Sequence, residues 1–111
     1  KDGLNSSHIR KRVENARLFQ FERYKNDKIC CNSQLTPNLI NRYCRLGKTE
    51  RILLRDIFHK LKLSARGYSK ILKISRTIAD LEGDSSIKEH HIAEAIRYRN
   101  LGKYYEGLSD L

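Results

Sequence analysis

The chain has 111 residues, 39% of them hydrophobic, with neither Met nor Trp and a formal net charge of +10. That length suits one domain with a modest core, and no apolar run approaches the ~20 residues that a membrane span requires. The polar, charged start does not read as a signal peptide, so a cytoplasmic location is expected. Its opening Lys-Asp-Gly, without Met, suggests a domain cut from a longer protein.

The charge is unevenly spread. Residues 1–63 hold 15 Lys and Arg against 6 Asp and Glu, net +9, whereas residues 64–111 hold 8 against 7, net +1. A basic half favours a polyanionic or acidic partner, although basic residues also make ordinary solvated helix faces.

Residues 1–5 read as a frayed end. Ser6 or Ser7 can cap a basic helix from about His8 to Asn26, with Ile9, Val13, Ala16 and Gln20 on a narrow face. Phe19, Phe21 and Tyr24 flank that face, and Arg10, Lys11, Arg12, Arg17, Arg23 and Lys25 surround it. Such a helix looks overexposed in isolation and is expected to dock on something, standing partly away from the rest. Asn26–Leu35 reads as a loop. Thr36-Pro37 starts a second helix, with Thr as N-cap and Pro at the first helical position, and Gly47 is a candidate to stop it. Thr49 is expected to cap a third helix whose apolar face is Leu53, Leu54, Ile57, Phe58 and Leu61.

Leu63–Leu81 is the stretch that organises the chain. Ser64 is a good N-cap; Tyr68, Ile71, Leu72, Ser75, Ile78, Ala79 and Leu81 share one face, and Arg66, Lys70 and Lys73 share another. Arg66 lies in the first turn, where the helix dipole disfavours a cation, and Gly67 inside the helix costs ~1 kcal/mol against Ala. Two readings of Arg66 stand together: an anion site at a helix N-terminus, or a surface pair with a carboxylate. Arg76 is one turn from Asp80 and is expected to pair with it. The helix ends near Glu82-Gly83, Asp84–Ser86 turns, Ile87 anchors, and a fifth helix spans about Lys88 to Arg99. His90 and His91 read as structural first-turn residues. Leu101–Leu111 reads as a loose tail.

Cys30, Cys31 and Cys44 have no metal-ligand spacing and read as reduced thiols, partly core filler, so no metal site is expected. No phosphate-binding glycine loop, catalytic triad or paired-carboxylate motif is present, so the chain by itself is not expected to be an enzyme.

The run Leu-Ser-Ala-Arg-Gly-Tyr-Ser-Lys-Ile-Leu-Lys-Ile-Ser-Arg-Thr-Ile-Ala-Asp-Leu-Glu-Gly from Leu63, the later His-His-Ile-Ala-Glu-Ala-Ile-Arg-Tyr-Arg from His90, and Ser6–Gln20 carry a resemblance. Together they resemble the C-terminal domain of magnesium-chelatase-like AAA+ ATPases of the ComM/YifB group, over about residues 5–101. Cys31-Asn32-Ser33-Gln34-Leu35 is also similar to a segment of that family. Gly67 and Ser75 depart from it, standing where many relatives carry alanine. The resemblance implies an all-α fold, a small bundle of four helices preceded by a longer basic linker helix, like an AAA+ lid. It divides the chain into a linker helix and loop at 1–35, a lid at 36–101 and a tail at 102–111.

It further implies that Arg66 is a sensor-2-type arginine near the γ-phosphate of ATP, with Lys70 and Lys73 as weaker candidates. Arg10, Arg12, Arg17, Gln20 and Arg23 become candidates for contact with nucleic acid or the ATPase core. The implied cofactor is ATP with Mg in the full-length parent, with none expected on this chain alone. The implied partners are the AAA+ core of the same polypeptide, neighbouring subunits of a homo-oligomeric ring and DNA, with no membrane. A basic helical module for nucleic-acid binding or subunit interaction is the alternative.

Overall fold

The computed structural model describes residues 6–100, which form five α-helices and no strand. The residues expected to fray at the start and the tail after Leu101 lie outside the described residues. The helices are α1 (Ser6–Arg23), α2 (Pro37–Tyr43), α3 (Lys48–Lys60), α4 (Ala65–Leu81) and α5 (Glu89–Asn100), with a single 3-10 turn at Asn32–Gln34 between the first two. The all-α expectation therefore holds, and α4 is the axis around which the others pack. It touches α1, the 3-10 turn, α2 and α5, while α3 closes onto α5.

The reason for that arrangement lies in α4 itself. From Ile74 to Asp80 every residue is buried, whatever its side of the helix. A one-sided amphipathic helix needs one neighbour, but a helix apolar or buried all round needs several. Ile71, Leu72, Ile74 and Ile78 meet Leu54 of α3, Ile92 and Ala95 of α5, Ile40 of α2 and Tyr24 in one core. Ser75 is accommodated without a partner from another segment, because its hydroxyl donates to the Ile71 carbonyl one turn back, at 2.8 Å.

The start signals act as the sequence indicates at two helices. The Thr36 side chain accepts from the Leu39 N–H and precedes Pro37; the Ser64 side chain accepts from the Gly67 N–H at 3.1 Å. At α3 the expectation shifts: Gly47 is the N-cap of α3, not the stop of α2, and Thr49 lies inside the helix. α2 has already ended at Tyr43, where the Cys44 N–H bonds back to Ile40. Leu61, expected on the apolar face, is the cap residue after α3 and is 44% exposed.

Both ends of the α3–α4 pair close in the same way. After α3, the Leu63 N–H reaches the Phe58 carbonyl at 3.0 Å and the Lys62 N–H reaches His59 at 3.3 Å. After α4, the Asp84 N–H reaches Ala79 at 2.8 Å and the Gly83 N–H reaches Asp80 at 3.0 Å. Each is a 6→1 and 5→2 pair that needs a left-handed residue at its hinge. Gly83 supplies one at φ +76°, whereas Lys62 holds φ +52° with a side chain.

α1 packs against α4 instead of standing apart. Ala16, Gln20 and Tyr24 are buried, while Leu18 and Phe21, on the opposite side, are 64% and 67% exposed.

Two substitutions test this backbone reading. Lys62→Gly relieves the left-handed strain, and Gly67→Ala adds a methyl whose nearest neighbours, Leu63 Cδ2 and Ser64 Oγ, lie at an ordinary 3.6 Å. Each is expected to stabilise the fold by about 0.5–1 kcal/mol, read as a higher urea midpoint at unchanged slope.

Candidate functional site

The densest polar cluster lies where α1, the 3-10 turn and α4 meet. Its centre is the carboxylate of Asp80, which has no exposed side-chain surface. Arg23, from the last turn of α1, forks onto it: Nη2 donates to Oδ1 at 2.6 Å and Nη1 to Oδ2 at 3.0 Å. Arg76 Nη2 approaches Oδ1 at 3.2 Å, forming the i, i+4 pair expected from the sequence. Asn32 Nδ2 donates to Oδ2 at 3.0 Å and also to Thr77 Oγ1 at 3.0 Å.

Asn32 is held from every side. Its Oδ1 accepts from the Tyr24 hydroxyl at 2.5 Å, and its N–H donates to Gln20 Oε1 at 2.9 Å. Arg76 also bonds the turn after α4: Nη1 donates to the Ser85 carbonyl at 3.1 Å and Nη2 to the Asp84 carbonyl at 2.7 Å. Burial would lower the Arg23 pKa, but the Asp80 carboxylate more than offsets it and leaves the guanidinium above its ordinary value. Burial pushes the Tyr24 phenol up to about 12, so it remains a donor across the physiological range. Two buried polar atoms, Gln20 Nε2 and Arg76 Nε, have no partner among the described residues.

This changes the meaning of two candidates. Gln20 and Arg23, expected to meet nucleic acid or an absent core, are used inside the chain to lock α1 onto α4. The sequence showed the Arg76–Asp80 spacing but not that Arg23 and Asn32 converge on the same carboxylate. The signal was present in Cys31-Asn32-Ser33-Gln34-Leu35, where a buried asparagine holds a segment read only as a loop. Arg12 is also engaged within the chain, its Nε donating to the Leu81 carbonyl at 3.3 Å. Arg10 and Arg17 point to solvent.

Arg66 sits differently. It is exposed in the first turn of α4, and among the described residues it has no ion pair or side-chain hydrogen bond, so the surface-carboxylate reading has no carboxylate here. Lys70 and Lys73 follow on the same stripe and are half-buried. Lys73 Nζ donates to the Ser33 carbonyl at 3.3 Å, and its pKa is lowered by burial and by neighbouring Lys70.

A second cluster joins the end of α4 to the start of α5. Glu82, Asp84, His90 and His91 bring four potential ligand atoms within 4.8 Å of one another. The fully buried His91 accepts the Lys88 N–H on Nδ1 at 2.8 Å, which places its proton on Nε2. Nε2 then donates to Glu82 Oε1 at 3.0 Å and faces Asp84 Oδ2 at 3.2 Å. With the proton on Nε2, His91 acts here as a donor, and the contacts clasp the end of α4 to the start of α5. His90 adds a contact to the same Glu82 oxygen at 2.9 Å.

Cys44 is buried core filler, and burial pushes its thiol up to about 11; Cys30 is exposed and Cys31 half-buried, all three unpaired.

The helices, their order and these motifs define a known class. Residues 3–99 match the profile of the family described as "Magnesium chelatase, subunit ChlI C-terminal", and the chain belongs to that family. It is 39% identical over 109 residues to the competence protein ComM of Haemophilus influenzae, a match covering 98% of this chain and 21% of that protein. It is 35% identical over 101 residues to YifB of Salmonella typhimurium and 32% identical to YifB of Escherichia coli, each covering 91% of this chain and 19% of the relative. The chain thus spans about a fifth of the length of the curated relatives it matches. Among the described residues no helix is long and apolar enough to cross a membrane.

Asp80→Ala should cost about 3–5 kcal/mol, because it leaves Arg76 and Arg23 without their buried counter-charge. Arg17→Ala, on the exposed side of α1, should stay within about 0.5 kcal/mol; urea unfolding of both variants checks the contrast.

The clasp predicts a pH dependence. The hydrogen bond from His90 holds the Glu82 carboxyl below its usual 4.5, against the opposing effect of burial and with help from His91. A depressed carboxyl contributes stability above its unfolded pKa and loses it as pH falls through the folded value. Glu82→Gln should therefore lower stability at neutral pH and flatten the acid fall below pH 4.5, as measured by thermal unfolding across that range.

Proposed function

We propose that this domain is the C-terminal lid of a magnesium-chelatase-like AAA+ ATPase and that Arg66 senses the nucleotide. The observation that carries this reading is the contrast between two arginines of one helix. Arg76 is buried and all its contacts lie within the chain, whereas Arg66 stands exposed at the helix start without a partner among the described residues. A cation placed against the helix dipole and left unpaired is a local cost that a phosphate would relieve. The planar, permanently charged guanidinium can fork onto two phosphate oxygens, while the free N–H groups of the first turn favour anions nearby.

In this reading ATP with Mg is bound by a core domain outside this chain. Arg66 completes the site as the lid closes, and ring assembly and DNA processing follow from the lid's position. Lys73 is a weaker candidate because it is drawn towards Ser33. The exposed side of α1, where Arg10 and Arg17 accompany Leu18 and Phe21, suits contact with that core. The buried network of Arg23, Asn32 and Asp80 supports such coupling, because it ties α1 to the helix that carries Arg66.

In the full-length parent, Arg66→Ala should lower ATP turnover by on the order of tenfold or more while circular dichroism shows an intact fold, in keeping with loss of a charge-assisted contact. Arg66→Lys should recover only part of it. Unchanged turnover would remove Arg66 from the nucleotide site.

A further inference from the structure

We infer that the groove between α2, α3 and the start of α4 is a docking site for an acidic peptide segment carrying an apolar anchor. The groove has a volume of about 840 Å³, within the range of sites that take a ligand or several side chains, and Arg66 is not among the residues lining it. Its rim carries Arg45, Arg51 and Arg55, and no Asp or Glu lines it.

These three arginines are exposed and, among the described residues, make no side-chain hydrogen bond or ion pair. Arg51 and Arg55 are one turn apart on α3, a like-charge pair that is unfavourable within a helix. No acidic residue stands three or four positions from either of them to offset that cost. Arg12, Arg23, Arg42 and Arg76, by contrast, each have a partner within the chain. A helix that concentrates unpaired guanidinium groups beside a concavity is complementary to carboxylates from outside.

The floor decides what else the partner must carry. It is aliphatic, formed by Ile40, Leu46 and Leu72, of which Ile40 and Leu72 are nearly inaccessible. Phe58 and Tyr68 form one wall, edge to face with centroids 5.6 Å apart. Their rings are half-buried against each other and do not make an open stacking platform for bases. The apolar surface still accessible there, from half-buried Leu46, Phe58 and Tyr68, gains from a leucine- or phenylalanine-sized side chain and offers little to a sugar–phosphate chain. The occupant is therefore an acidic segment of a protein, not a nucleic acid.

The test is an amide chemical-shift titration of the 111-residue chain, isotopically labelled, with a short synthetic peptide in which glutamates flank a leucine and a phenylalanine. Saturable shifts centred on Leu46, Tyr68 and Leu72, weakening with salt, are expected. The double variant Arg51→Glu/Arg55→Glu, which alters only exposed side chains, should lower affinity by on the order of tenfold or more without changing the unfolding midpoint appreciably. A peptide with glutamine for glutamate, or with serine for the two anchors, should bind at least several-fold more weakly. Three outcomes would overturn the inference: absence of saturable shifts or shifts centred elsewhere, equal binding of the glutamine peptide, or tighter binding of single-stranded oligodeoxythymidine in the same groove.

Discussion

A carboxylate removed from water must be matched by donors, and Asp80 is removed completely. Two forked contacts from Arg23, one from Arg76 and one from the amide of Asn32 occupy its two oxygens. These donors come from three parts of the chain: α1, α4 itself and the 3-10 turn between α1 and α2. The cost of leaving any of them out is what fixes these parts together. The apolar core supplies most of the driving force, but oily contact alone does not set a register. The fork of Arg23 and the amide of Asn32 do.

The same network explains how a weakly amphipathic helix comes to be an integral part of the fold. α1 has few large apolar groups on its inner side; Ala16 allows close approach, Gln20 binds the Asn32 N–H, and Tyr24 bonds the Asn32 amide oxygen. Tyr24 also stacks edge-on against Tyr43 of α2, whose hydroxyl donates to Asp27 at 2.7 Å. The helix is held by directional bonds at its C-terminal half, and its outward side keeps cations and aromatics for other uses. Stability and availability are thus divided between two faces of one helix.

α4 shows the corresponding division along its length. Its last two turns are buried on all sides, closed by the Gly83 turn and clasped to α5 through Glu82 and His91. Its first turn is capped by Ser64 but otherwise open, and there Arg66 stands. A helix anchored at one end and exposed at the other leaves Arg66 presented to solvent. The arginine-rimmed groove beside that same first turn gives a second exposed surface of distinct chemistry.

Much of this was legible in the sequence. The Thr36-Pro37 and Ser64 starts, the Arg76–Asp80 spacing, the buried Ile87 and the single organising helix follow from short-range rules, because caps, turns and i, i+4 neighbours depend only on residues close along the chain. Arg66 was legible as an anomaly for the same reason: a cation and a glycine in a first turn contradict local preference. What the tertiary structure decided is which polar groups meet across long separations. Arg23 and Asp80 are 57 positions apart, and nothing local distinguishes Arg23 from the exposed arginines beside it. The role of Gly47 changed because α2 stopped early, and the left-handed Lys62 arose because Leu63 had to reach the core. Local sequence determined the helices and the odd arginine; three-dimensional burial, through the requirement that a buried charge be satisfied, decided how they are joined.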